Sequence, residues 1–102
     1  MAFTRADFYR LLERMVEQGA SDLHLSSDEY PFLRNDGALV RQDDSYSTAA
    51  ELEEVARELM NDSQAGVFEA NRHVDMALSV GKEDRFRVNV YRDRGNVSFA
   101  IR

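Results

Sequence analysis

The sequence predicts an α+β domain, on three observations. Apolar residues recur at helical spacing near the N-terminus and again after residue 48. The C-terminal third alternates strictly between apolar and polar side chains. The helical stretches cluster apart from the alternating ones instead of interleaving with them.

The first helix follows Thr4, which can cap it, with Phe3 and Phe8 at the two positions of a hydrophobic staple. Phe8, Leu11, Leu12, Met15 and Val16 share one face, which predicts a core-facing stripe. Gly19 is placed to end the helix in a left-handed conformation. Asp22 to Ser26 then alternates as a half-buried strand, with Leu23 and Leu25 inward. Pro31 to Asn35 and Ala38 to Gln42 form two more strands. Asp36-Gly37 joins them, a pair suited to the positive φ angles of a two-residue hairpin loop. Asp43 to Ser47 is a polar connection.

Thr48-Ala49-Ala50-Glu51 fits a capping box, and Leu52, Val55, Ala56, Leu59 and Met60 carry the apolar stripe of a second helix. Asn61-Asp62-Ser63 breaks it and caps a short third helix with Val67 and Phe68. Val74, Met76, Leu78 and Val80 alternate with His73, Asp75, Ala77 and Ser79. Phe86, Val88 and Val90, and then Val97, Phe99 and Ile101, repeat the pattern. Loops at Gly81–Asp84 and Asp93–Asn96 make this an antiparallel meander with one apolar and one polar face.

Composition narrows the function. The 102 residues are 43% hydrophobic and 31% charged, an ordinary globular balance for one domain. A net charge of −6 argues against sequence-independent nucleic-acid binding, which needs excess lysine and arginine. The chain has no cysteine, which excludes disulfides and thiolate metal sites and suits a reducing compartment. No apolar run approaches the roughly 20 residues that span a bilayer. The N-terminus, with Arg5, Asp7 and Arg10 among its apolar residues, does not read as a signal peptide, so the expected location is cytoplasmic. The five glycines never form a P-loop, and no nucleophile elbow is present.

Register carries a further expectation. Inward residues are even-numbered on the strand around Val88 and odd-numbered on the strand around Phe99, so facing partners must sum to an odd number. Two registers satisfy this and place Arg102 opposite Arg85 or opposite Arg87. Either way three arginines gather on one exposed face of an acidic domain. Facing like charges are unfavourable. Compensation comes either from Asp75, Asp22 or Glu83 of the same chain, or from an anion or acidic surface outside it. Asp22-x-His24 and His73-x-Asp75 offer a competing site, since two histidines and carboxylates can bind a divalent metal or move protons. Neither spacing belongs to a metal motif, and surface or hydrogen-bonded roles suit these residues better.

The stretches "QGASDLHLSS", "LRNDGAL", "MNDSQAGVFE" and "DRFRVNVYRDRG" resemble, in order and spacing, the start of type IV pilus retraction ATPases, the PilT-like members of the secretion ATPase superfamily. The resemblance runs from about Phe8 to Arg102. One departure is visible at Tyr30-Pro31, where the family usually has two prolines. The resemblance implies a PAS-like N-terminal domain, an antiparallel sheet with helices packed on one face, spanning residues 1–102 of a longer protein. The RecA-like ATPase domain with its P-loop is absent from this chain. No activity is therefore expected of it alone, while the parent protein is implied to be an ATPase that uses ATP and Mg and drives twitching motility.

The resemblance further implies a homo-hexameric ring on the cytoplasmic face of the bacterial inner membrane, with the pilus inner-membrane platform protein as a partner. Each N-terminal domain would pack against the RecA-like domain of its own and a neighbouring subunit, and its arginines would approach the ATP phosphates. The matching positions make Arg87 and Arg102 the leading candidates, with Arg85 and Arg92 behind. A free-standing PAS-like sensory or interaction module, and the N-terminal domain of a related type II or type IV secretion ATPase, are the alternatives.

Overall fold

Each helix begins where a side chain satisfies the free amides of the first turn, and the strands follow from alternation. The structure is a computed structural model that describes residues 2–102. Helix α1 (Arg5–Gln18) is capped by Thr4, whose hydroxyl accepts from the Asp7 amide while the Asp7 carboxylate accepts from the Thr4 amide. Gly19 closes it at φ 65°, in the left-handed region. Helix α2 (Ala49–Leu59) starts with the Thr48–Glu51 capping box, and α3 (Asp62–Asn71) with an equivalent pair, Asn61 and Gln64. Glu51 does a second task. Its other oxygen accepts from the Phe3 amide at 2.7 Å, tying the entry of α1 to that of α2.

The strands are β1 (Asp22–Ser26), β2 (Phe32–Asn35), β3 (Ala38–Arg41), β4 (His73–Val80), β5 (Asp84–Asp93) and β6 (Asn96–Ile101). They form one antiparallel sheet in the order β3-β2-β1-β6-β5-β4. The chain therefore builds two three-stranded meanders and joins them at β1–β6, with α2 and α3 in the connection.

The core is one cluster on one face of the sheet. Leu23, Leu25, Leu33, Val74, Met76, Phe86, Val88, Val90, Val97, Phe99 and Ile101 meet Phe8, Leu11, Leu12, Met15, Leu52, Val55, Ala56 and Phe68 of the helices. The period-two and helical expectations hold at these positions. They fail at two. Val16 is 46% exposed and Val67 is 42% exposed, each about 100° around its helix from a buried neighbour, Met15 and Phe68. The opposite sheet face, carrying Asp22, His24, Arg34, Asp75, Arg87, Asn89 and Arg102, bears no helix.

Two hairpins use two-residue loops with both φ angles positive. Asp36 and Gly37 stand at 49° and 84°, as the Asp-Gly signal implies. Arg94 and Gly95 stand at 56° and 84° between the paired Asp93 and Asn96. Arginine lacks the short polar side chain that makes this region tolerable for Asn or Asp. Changing Arg94→Asn is therefore expected to stabilise the domain by about 0.5–1 kcal/mol, measured by denaturant unfolding with the slope unchanged.

Candidate functional site on the bare face of the sheet

The position of every side chain on this face follows from one register. β5 pairs with β6 through Val88–Ile101 and Val90–Phe99, so partners sum to an odd number, as both buried faces demand. Of the two registers open in the sequence, the structure takes the one that sets Arg87 opposite Arg102. Their backbones exchange two hydrogen bonds, Arg87 N–H to Arg102 C=O at 3.0 Å and Arg102 N–H to Arg87 C=O at 2.9 Å. Such a pair holds its Cα atoms about 5.5 Å apart. Arg85, two residues earlier on β5, faces Ser79 and stands on the same face.

The three side chains are exposed. Among the described residues, none of them forms an ion pair with a carboxylate. Of the three acids that could compensate them, Glu83 forms no ion pair among the described residues, and the other two have different partners. Asp22 lies 3.5 Å from Arg34 and accepts from Ser21, and Asp75 accepts from Asn89 at 2.8 Å. A shallow depression of about 80 Å³, lined by Arg87, Arg102, Asn89, Asp75 and Ala100 among others, lies between the two leading arginines. The geometry offers two planar, permanently charged donors side by side, a set suited to the several oxygens of a phosphate or carboxylate group.

Arg92 is separated from the other three. An even-numbered residue of β5, it lies on the helix side, where both its terminal nitrogens bind Glu53 of α2 at 2.9 and 3.0 Å. One nitrogen also donates to the Gly95 carbonyl, and its guanidinium lies over the Phe68 ring of α3. Arg57 joins Glu53 to Glu69, so α2, α3 and β5 share one charged network. The parity of position 92 was a usable signal for this inward placement. Its partner Glu53, 39 residues away, was not legible locally.

The Asp22, His24, His73 and Asp75 set is not brought together. β6 and β5 stand between β1 and β4, three strand spacings of about 4.8 Å each. His24 lies beside Ala100, and His73 beside Tyr91. Arg14 of α1, which no local sequence signal marks, donates to Asp44 and Gln42 and so fastens the polar connection onto the first helix.

Comparison with known proteins defines the class first. Over 91% of this chain and 27% of the solved one, the fold superposes on the pilus retraction motor PilT, crystallised with ADP bound, at a TM-score of 0.82 and 30% identity. The ATPase DotB of Legionella pneumophila gives a TM-score of 0.82 at 20% identity over the whole of this chain and 29% of its own, which shows a shared fold. No protein-family model matches the chain. The sequence then narrows the class. In Pseudomonas aeruginosa, the type IV pilus retraction ATPase PilT is 36% identical over 83% of this chain, and the type IV pilus ATPase PilU is 28% identical over 94%. The chain is thus homologous over most of its length to the PilT-like type IV pilus ATPases, consistent with an N-terminal domain, and it spans about a quarter of the length of those curated relatives. Among the described residues, no helix is long and apolar enough to cross a membrane.

The two arginine environments predict opposite mutational outcomes. Arg87→Ala is expected to leave unfolding free energy within about 0.5 kcal/mol of the parent, because its side chain forms no ion pair among the described residues. Arg92→Ala is expected to cost about 1–3 kcal/mol, through the loss of two charge-assisted bonds and the Phe68 contact. Hydrogen bonds from Arg92 hold the Glu53 carboxyl below its ordinary 4.5, against the opposing pull of burial. The group's stabilisation is then complete above pH 4.5 and is lost as pH falls through the lower folded value. In Arg92→Met, unfolding measured at descending pH is expected to show a shallower loss across that window.

Proposed function

We propose that this chain is the N-terminal domain of a hexameric type IV pilus retraction ATPase, and that Arg87 and Arg102 reach the phosphates of ATP held by a neighbouring RecA-like domain. One observation carries the reading. An acidic domain homologous to a pilus retraction motor sets two arginines in a facing pair on a bare sheet face and, among the described residues, supplies neither with a carboxylate. A group of opposite charge brought by another domain completes them.

The chemistry divides simply. ATP and its Mg, bound on the ATPase domain, supply the reactive phosphoanhydride. This chain's contribution is to position charge. The Arg87 and Arg102 guanidinium groups donate paired hydrogen bonds to phosphate oxygens. Arriving on a rigid sheet from a separate domain, they stabilise charge that grows during phosphoryl transfer and couple it to movement between domains. Arg85 is the third candidate on the same face. Arg92 acts differently, as an internal link from β5 to Glu53 of α2 and Phe68 of α3. The assembly works at the cytoplasmic face of the bacterial inner membrane against the pilus platform protein and powers twitching motility. A related secretion ATPase is the second reading, favoured by the DotB fold likeness.

In the full-length ring, Arg87→Ala is expected to lower steady-state ATP turnover by at least about tenfold, a modest fraction of what an arginine finger supplies. The isolated variant domain is expected to keep its fold. Unchanged turnover in an assembled ring contradicts the role.

A further inference from the structure

The two margins of the sheet are unlike. β3 is four residues long, whereas β4 runs unbroken through eight, with no proline, lysine or bulge. Those are the devices by which proteins keep a sheet edge from pairing.

Which groups the β4 edge presents follows from the Arg87–Arg102 bonds. In an antiparallel ladder a residue's N–H and C=O point to the same side, and successive residues alternate. Arg87 bonds β6 through both groups, so the odd-numbered residues of β5 face β6 and the even-numbered ones face β4. The Arg92 N–H donating to the Arg72 carbonyl agrees. Val74, Met76, Leu78 and Val80 therefore take the bonds from β5. His73, Asp75, Ala77 and Ser79 send theirs outward, and among the described residues no other backbone group reaches them. All four are exposed, and two apolar residues of the strand are incompletely covered, Leu78 and Val80 being half-buried.

We infer that the β4 edge is an interaction surface whose partner is the β4 edge of a second copy, paired antiparallel across a two-fold axis. Parity selects the register. Only outward residues can exchange hydrogen bonds, so odd must face odd, and the register that engages all four sets His73 against Ser79 and Asp75 against Ala77 of the second copy. A slip of two residues toward the start of the strand sets Asp75 against Asp75, which like-charge repulsion disfavours.

The chosen register has complementary charge. On the bare face Ala77 separates the incoming Asp75 from Arg87, its cross-strand neighbour. With only a methyl between them, the Arg87 side chain spans the gap to that carboxylate. Each two-fold contact thus pairs two arginines with two aspartates. The backbone edge carries this inference, which does not rest on the phosphate reading. Because both engage Arg87, the paired form and the phosphate-bound form are alternatives.

Sedimentation equilibrium of the 102-residue chain, with amide hydrogen exchange across the same concentrations, tests this. A reversible dimer is expected, in which the Asp75 and Ala77 amides exchange at least about tenfold more slowly than in the monomer. Ala77→Pro removes an outward N–H without touching the β4–β5 bonds, and it is expected to be monomeric with core protection retained. As a second variant, Asp75→Lys is expected to weaken the dimer, and Asp75→Lys with Arg87→Glu to restore it. A chain that stays monomeric to millimolar concentration overturns the proposal and leaves the edge to a strand from a different protein. A dimer that Ala77→Pro leaves intact, or one whose protection falls on Leu39 and Arg41 of β3, overturns it as well.

Discussion

A strand turns alternate side chains to opposite faces, and the rest of this structure depends on that constraint. β1, β4, β5 and β6 each turn every second residue toward one core shared with the helices, so a one-residue slip would exchange core for solvent. The price of the correct register is a fixed pattern on the far side. With Val88 against Ile101, Arg87 must stand against Arg102. The core thereby selects a pairing that electrostatics alone would reject, and the fold holds two cations together without needing their attraction.

The ion pairs of the domain lie elsewhere. Arg14 joins α1 to the loop at Asp44, Arg34 meets Asp22, and Arg57 and Arg92 share Glu53. These contacts tie elements to one another. Among the described residues, the side chains of Arg85, Arg87 and Arg102 form no ion pair, although carboxylates outnumber cations overall. Desolvating a guanidinium without a partner is costly, whereas leaving it in water costs little. An exposed, unpaired set therefore suits a surface that is completed by association.

Much of this was legible in the sequence for physical reasons. Alternation located the strands, Asp36-Gly37 fixed a hairpin, and the Thr48–Glu51 box began α2, because each signal is local. Parity even reduced the β5–β6 pairing to two registers. Choosing between them needed the length of the Arg94-Gly95 loop. The same parity held Arg92 apart from the outward arginines, yet its bond to Glu53 depends on how α2 lies across the sheet, a distant relation no spacing reveals. The helical stripes ran ahead of the packing at Val16 and Val67, since spacing shows which face is apolar and not how wide a sector of it is buried. For Asp22, His24, His73 and Asp75, residue type suggested a cluster that strand order disperses.

The claim that the facing arginines are completed from outside the chain is tested most directly by the position of the Arg87 guanidinium in the full-length assembly with Mg and a non-hydrolysable ATP analogue, determined by electron cryo-microscopy. The account predicts its nitrogens within about 2.7–2.9 Å of phosphate oxygens, with Arg102 alongside. Arg87 directed into solvent, or bound to a carboxylate of its own subunit while nucleotide fills the site, would contradict it.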